Sequence, residues 1–361
     1  MTALQFDRGG LWLRWAGAHT IGAVRRHAPS RTTMRAAAAA GNPSKFVAHR
    51  VASALQQSSN VTRRRPSSLT IPDHASRRID QACLDTYGVI AEIARGGMST
   101  VYLGEDLETG ERVAIKALDA VYVGRSDLVH RLLREHEHAR RARHPGLIDI
   151  RCAEQTSHGI PYLVMEYLDG ENLRALADRL ALPRDTVLAI AAQIARATAA
   201  LHTAGIVHCD LKPDNVFVLY ATGSDGWPQV KVFDYGVARS IHEPPLPDSE
   251  VAGTPAFMAP EQWHGAPVTA SDVYALGCLL YELVTGRPVF SGSLPRLMTA
   301  HCEHLPVRPS VSCPDLAPDL DRLIVRMLAK DAAMRPTMTE VDAELSRLIP
   351  IAQPDALQAT G

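Results

Sequence analysis

His208-Cys209-Asp210-Leu211-Lys212-Pro213-Asp214-Asn215 puts an aspartate, a lysine two residues on and an asparagine five residues on into one short stretch. These three side chains suit phosphoryl transfer. A carboxylate accepts the proton of an attacking hydroxyl. A lysine ammonium neutralises charge on a phosphoryl group as it moves. An asparagine oxygen can help to hold Mg²⁺. So short a motif also arises by chance, and its weight depends on what flanks it.

On the N-terminal side, Asp185 to Thr203 reads as a helix: Val187, Ile190, Ala191, Ile194, Thr198 and Leu201 share one face, and Gly205 ends it. The helix delivers the chain into Ile206-Val207 and the quoted stretch. On the C-terminal side, Val230-Lys231-Val232-Phe233 reads as a strand and Asp234-Tyr235-Gly236 as a turn. Isolated D-x-G triplets are ordinary turns. The interval of 24 residues from Asp210 and the apolar strand before it make this one specific.

The stretch at His208 resembles the catalytic loop of protein kinases, H-R-D-x-K-x-x-N, with Cys209 in place of the arginine, and Asp234-Tyr235-Gly236 resembles their D-F-G. Other motifs of that family stand in the same order. Gly96-Gly97-Met98-Ser99-Thr100-Val101 resembles the glycine-rich loop of bacterial-type serine/threonine protein kinases, with Ala94 and Ser99 replacing two of its glycines. Ala94 and Ser99 can serve there if the backbone keeps negative φ. Val113-Ala114-Ile115-Lys116 matches V-A-I-K. Gly253-Thr254-Pro255 through Ala259-Pro260-Glu261 resembles the end of an activation segment, and Met334-Arg335-Pro336 offers a buried partner for Glu261. The motifs run from about Tyr87 to Ile349, roughly three quarters of the chain.

The resemblance implies a two-lobed α+β fold, with a small antiparallel β lobe carrying one helix and a larger, mainly helical lobe. It implies a boundary near 85, an N-lobe and hinge over 85–168 and a C-lobe over 169–349, followed by a short tail at 350–361. It implies ATP and Mg²⁺, held by backbone and side chains of Ile93, Ala94, Arg95, Gly96, Gly97, Met98, Ser99 and Val101 over the phosphates, and by Ala114, Met165, Glu166 and Leu168 around the adenine. Lys116 would contact the α- and β-phosphates. Glu135 and Glu137 both compete to pair with it; Glu135, nine residues before His144-Pro145, has the family's interval, and Glu137 faces nearly the opposite way on a helix. Asp210 would orient the protein hydroxyl, Lys212 stabilise charge, and Asn215 and Asp234 bind the metal. Thr254 would reach Asp210 and Lys212, and Asp272 would anchor the catalytic-loop backbone. His208 reads as a packed histidine. Glu171 reads either as a ribose or substrate contact or as an acid at a helix start.

Cys209 is the informative departure. In relatives the arginine there pairs with a phosphorylated activation loop. Between Gly236 and Gly253 the only hydroxyl residues are Ser240 and Ser249. Both features imply activity that does not wait for loop phosphorylation. Protein substrates and autophosphorylation follow from the resemblance. A pseudokinase scaffold is the rival reading, and its only support is Ala94 and Ser99.

Composition sets the remaining bounds. The 361 residues are ample for a buried core, and the six cysteines include no C-x-x-C pair, which reads as reduced thiols in a cytoplasm. No run of 18 apolar residues is present, so no membrane span is expected. Net charge of −1 hides an asymmetry. Residues 1–79 hold 13 of the 38 basic side chains and 2 of the 39 acidic ones, leaving 25 against 37 for the rest. The basic segment, rich in Arg, Ala and Ser, reads as a disordered tail over 1–84, with transient helix over Ala36–Ala40 and Val47–Gln57. An organellar transit peptide and a true start at Met34 are alternatives for it. Arg63-Arg64-Arg65-Pro66-Ser67-Ser68 reads as a solvated linker or as an autophosphorylation or docking site on the acidic domain. Nucleic-acid binding would rest on charge alone and is not expected.

Overall fold

The computed structural model describes Leu84, residues 86–223, 226–245 and 252–349. The tail helices, the Arg63–Ser68 cluster with its docking reading, Ser249 and the stretch from Pro350 on lie outside the described residues.

The first lobe is a five-stranded antiparallel sheet in the order β1-β2-β3-β5-β4, from β1 (Tyr87–Arg95), β2 (Ser99–Asp106), β3 (Arg112–Leu118), β4 (Ile150–Gln155) and β5 (Pro161–Glu166). The two-residue period of a strand sorts β3. Val113, Ile115 and Ala117 turn into a small core with Tyr87, Tyr102, Tyr162 and Val164. Ala114 and Leu118 turn the other way into the main core, and Lys116 lies between them on that same face. The sheet thus delivers one lysine to the interior of the molecule.

Helix α1 (Ser126–Arg141) packs against β4 and β5. Asp127 in its first turn and His138, Arg140 and Arg141 in its last complement the helix dipole. Leu128, Leu132, Glu135, His138 and Ala139 form its buried stripe, so Glu135 faces inward while Glu137 is exposed.

The second lobe begins with β6 (Gly170–Asn172), α2 (Leu173–Arg179) and α3 (Arg184–Thr203). Asn172 caps α2 by accepting from Ala175 N at 2.8 Å. The buried side of α3 takes in the expected Val187, Ile190, Ala191, Ile194, Thr198 and Leu201 and spreads well beyond them, to Leu188, Ala192, Ala195 and Ala197. The many alanines allow close approach on several sides. Gly205, at φ +71°, turns the chain out of this helix into β7 (Ile206–Val207).

Strands β8 (Val216–Thr222) and β9 (Pro228–Val232) form a sheet with β6, and β10 (Arg239–Ser240) pairs with β7. Helix α4 (Thr269–Thr285) is buried continuously from Ser271 to Tyr281 and ends at Gly286 in the left-handed region. Helices α5 (Leu294–Glu303), α6 (Pro318–Met327) and α7 (Met338–Leu348), with a single helical turn at Pro309–Ser312, complete the lobe. A reciprocal cap starts α7: Glu340 N donates to Thr337 Oγ1 at 3.2 Å, and Thr337 N donates to Glu340 Oε2 at 2.7 Å. The architecture is the small antiparallel lobe with one helix and the larger helical lobe that the sequence motifs imply.

Candidate active site

The quoted stretch is held from beneath by Asp272, in the first turn of α4 and 1% exposed. Its Oδ2 accepts from His208 N at 2.8 Å and its Oδ1 from Cys209 N at 2.9 Å. His202 Nε2, at the end of α3, lies 2.8 Å from the same Oδ2. Gln262 adds a bond from its amide to the Cys209 carbonyl at 2.5 Å. These contacts hold Cys209 at φ +65°, a region that side chains other than glycine seldom adopt. Asp234, at φ +66°, is the only other such residue among the described residues. Strain of this kind concentrates where a chain is held for function.

His208 is fully buried. Its Nδ1 accepts from Asp210 N at 3.3 Å, which makes Nε2 the protonated nitrogen, donating to the Phe233 carbonyl at 3.2 Å. The ring therefore splints the two acidic loops together and is a packing residue, as its place in the sequence implied. Burial, with Asp272 nearby, pushes the Cys209 thiol well above its ordinary pKa. That leaves it a neutral small residue and not a reactive thiolate.

Asp210 stands at the centre. Lys212 Nζ donates to its Oδ2 at 2.7 Å, and the Asn215 amide donates to the same oxygen at 3.1 Å and to the Asp210 carbonyl at 2.8 Å. The Thr254 hydroxyl donates to Oδ1 at 2.6 Å and accepts from Lys212 Nζ at 2.7 Å. The carboxylate is thus oriented on both sides, with the Thr254 hydroxyl seated on Oδ1 and the Lys212 ammonium on Oδ2.

Lys116 bridges two carboxylates. Its Nζ is 2.8 Å from Glu135 Oε2 and 3.0 Å from Asp234 Oδ1. Burial alone would lower the lysine pKa, but Asp234 and Glu135 more than reverse this and hold it above its ordinary value. Burial would raise Asp234, and the adjacent Lys116 instead keeps its carboxyl well below the usual range. Glu135, the more deeply buried, is pushed up by that burial. At neutral pH the site thus presents a fixed cation beside an ionised Asp234.

The donors fit a Mg²⁺ ion. The Asn215 amide nitrogen is committed to Asp210, which turns its oxygen the other way, and Asp234 spends only Oδ1 on Lys116. Among the described residues no group of three or more His, Cys, Asp and Glu side chains could hold a metal. A site of two hard oxygen donors completed by phosphate oxygens is the usual Mg²⁺ arrangement.

Around this centre the turn Gly96–Met98 joins β1 to β2, closed by Gly96 N donating to Ser99 O at 2.8 Å. A Cβ on Gly96 would meet that carbonyl at 3.3 Å, which is tight. Neither Ala94 nor Ser99 needs positive φ, so the two glycine replacements are accommodated without strain. Ala94 pairs across the hairpin with Val101, Ile93 is exposed, and Arg95 is tied to Glu92 at 2.7 Å. Ala114 and Met165 are buried neighbours in the β3–β5 register, and Leu168 packs on the same core. The Glu166 carboxylate is occupied by Lys231 Nζ at 2.6 Å and Asp149 N at 2.8 Å, and the Glu166 N–H donates to the Asp149 carbonyl at 3.0 Å.

Glu171 lies in β6, immediately before the α2 cap residue. It pairs with Arg179 at the far end of α2, and Asn172 takes the capping role instead. Glu261 meets Arg335 through two bonds, at 2.7 and 2.9 Å. His202 and Gln262 were not singled out in the sequence. They act by long-range contacts for which neither spacing nor residue type gives a signal.

Residues 87–344 match the family described as "Protein kinase domain". The serine/threonine-protein kinase Pkn1 of Myxococcus xanthus is 38% identical over 249 residues, covering 68% of this chain and 35% of that protein. The serine/threonine-protein kinase PknB of Mycolicibacterium smegmatis is 35% identical over 299 residues, covering 80% of this chain and 45% of that protein. The chain therefore spans less than half the length of these curated relatives. The crystal structure of the Mycobacterium tuberculosis PknI kinase domain, a double mutant, superposes with a TM-score of 0.59 at 24% identity, over 76% of this chain and all of that one, and so shares its fold. With a family match over most of its length and bacterial serine/threonine kinases among its relatives, the chain belongs to the protein kinase family.

Proposed function

We propose that this protein is a bacterial serine/threonine protein kinase that moves the γ-phosphoryl group of ATP to protein hydroxyls, itself included. The observation that carries this reading is the double bridge at the cleft: Lys116 joined to Glu135 and Asp234, and Asp210 joined to Lys212, Asn215 and Thr254. In this reading Lys116 holds the nucleotide phosphates, and the glycine turn covers them. Ala114, Met165 and the backbone of Glu166 and Leu168 receive the adenine. Asn215 and Asp234 hold Mg²⁺, which supplies neutralisation of phosphate charge when bound. Asp210 takes the place beside the acceptor hydroxyl and accepts its proton, while Lys212 offsets charge on the transferring group. Positioning and charge compensation are what this reaction asks of a protein.

Transfer does not wait for phosphorylation of the activation segment, since Cys209 carries no charge for a phosphate to pair with and its thiol is held protonated. No helix among the described residues is long and apolar enough to cross a membrane. A cytoplasmic location and protein substrates fit this reading, and no nucleic-acid partner is needed. Docking of the basic tail, and Ser67 and Ser68 as self-acceptors, belong to it too.

Labelled ATP with Mg²⁺ and a general basic protein tests the proposal. Phosphoserine or phosphothreonine without phosphotyrosine is expected, and Ser240→Ala with Ser249→Ala leaves the rate nearly unchanged. Label on tyrosine, or no label on any acceptor, contradicts the function. A large loss in the double variant contradicts only the independence from loop phosphorylation.

A further inference from the structure

Beyond the catalytic residues, one carboxylate ties the two lobes together. Glu243 follows β10, and two guanidinium groups from different elements converge on it. Arg134, on α1 next to Glu135, donates from Nη2 to both Glu243 oxygens at 3.0 Å. Arg239, on β10, donates from Nε to Oε2 at 3.2 Å, and Ser240 N donates to Oε1 at 3.2 Å. Arg239 is 8% exposed; its Nη2 reaches the Pro244 carbonyl at 2.5 Å, and its Nη1 is buried without a partner. Glu243 is the only carboxylate paired with Arg239 among the described residues, so removing it would strand a buried cation.

The two arginines report to the two halves of the site. Arg134 immediately precedes Glu135, which holds Lys116. Arg239 pairs in register with Val207, the residue before His208 and the catalytic loop. The position between His208 and Asp210, where relatives carry an arginine, holds the neutral and buried Cys209.

We propose that Glu243 is a positioning residue for phosphoryl transfer. Its permanent negative charge latches α1 to the start of the activation segment and thereby keeps Glu135 on Lys116. The proposal rests on the kinase reading of the site and gives a physical source for its independence from loop phosphorylation: the anion that joins the two arginines is built into the chain. The Arg134 side chain is 45% exposed and Glu243 is 32% exposed, so an isolated Arg134–Glu243 pair would count for little. The buried Arg239 on the other side is what gives this carboxylate its hold.

The full-length chain tests this with Glu243→Gln, Arg134→Gln and the double variant, each assayed for transfer to one basic protein substrate. The latch lowers kcat in Glu243→Gln by about tenfold, with KM for the protein substrate little changed, in the range expected for a coupling residue outside the site. Glu243→Asp recovers part of the rate. The double variant is no slower than the worse single, because both remove one interaction. Amide hydrogen exchange over α1 speeds up in both singles. Wild-type kcat in Glu243→Gln and Arg134→Gln, or losses that simply add, overturns the latch. Should the wild type itself transfer no phosphate, the kinase reading fails instead. The α1 exchange then decides alone: faster exchange in Glu243→Gln supports the latch and unchanged exchange overturns it.

Discussion

Replacing Arg335 should unfold the second lobe more easily than any surface change. Its side chain is fully buried and makes five hydrogen bonds: two to the Glu261 carboxylate, and one each to the carbonyls of Ala270, Ala329 and Lys330. The guanidinium also lies 4.9 Å from the centroid of the Tyr274 ring. Arg335→Met removes every donor and leaves a mostly buried carboxylate and three carbonyls behind, which costs roughly 3–5 kcal/mol. Arg335→Lys keeps the charge but brings at most three donors to five acceptor contacts. Losing two contacts to a charged group costs about 3 kcal/mol. Adding Glu261→Leu to Arg335→Met should recover part of the loss, because the stranded carboxylate goes with its partner. Urea unfolding followed by circular dichroism measures all three, through the midpoint at constant slope. The segment from Gly253 to Glu261 also carries Thr254, so Arg335→Met should lose transfer activity below its unfolding midpoint as well. A loss under about 1 kcal/mol for Arg335→Met would refute the reasoning, since that is the value of an exposed ion pair and not of a buried one.

Acid sensitivity should trace in part to His301, fully buried, with its pKa pushed from 6.5 down to about 4 by burial and by Lys330. Between those values the unfolded chain takes up a proton that the folded chain refuses, so stability falls as pH drops, by about 3 kcal/mol at most from this group. His301→Gln should flatten that slope in unfolding curves taken from pH 6.5 to 4, and an unchanged slope would remove the assignment. Thr254→Ala loses the hydroxyl that joins Asp210 and Lys212, and its kcat should fall while ATP affinity stays. Thr254→Ser keeps the hydroxyl and most of the rate; equal rates in the two variants would show that the bridge is idle.

The parts of the site that were legible in the sequence are those fixed by short intervals. Asp210, Lys212 and Asn215 lie within six residues of one another, and one turn of chain brings them together. Glu135 could be distinguished from Glu137 by its nine-residue interval to His144-Pro145, with the helix then sending Glu137 to a different side. The continuous apolar run of α4 announces a central helix. Helix α5 was not legible, because Leu294 and Met298 remain exposed and its periodicity is broken. The left-handed backbone at Cys209 and Asp234 could not be read either, since neither residue is a glycine. It is imposed by Asp272 and other contacts from distant parts of the chain. Glu243 was silent for the same reason as His202 and Gln262, since its partner Arg134 is 109 residues distant.

The most direct test of the account is the transfer rate of Asp210→Asn beside wild type, with ATP affinity measured on both. The substitution keeps the shape of the side chain and removes the charge that holds Lys212 and accepts the hydroxyl proton. The account predicts a loss of roughly 10²–10⁴ in kcat, the range for a general base, with ATP still bound at near wild-type affinity through Lys116 and the glycine turn. A variant that transfers phosphate at the wild-type rate would contradict it, because the residue around which the whole cleft is arranged would then have no part in the chemistry.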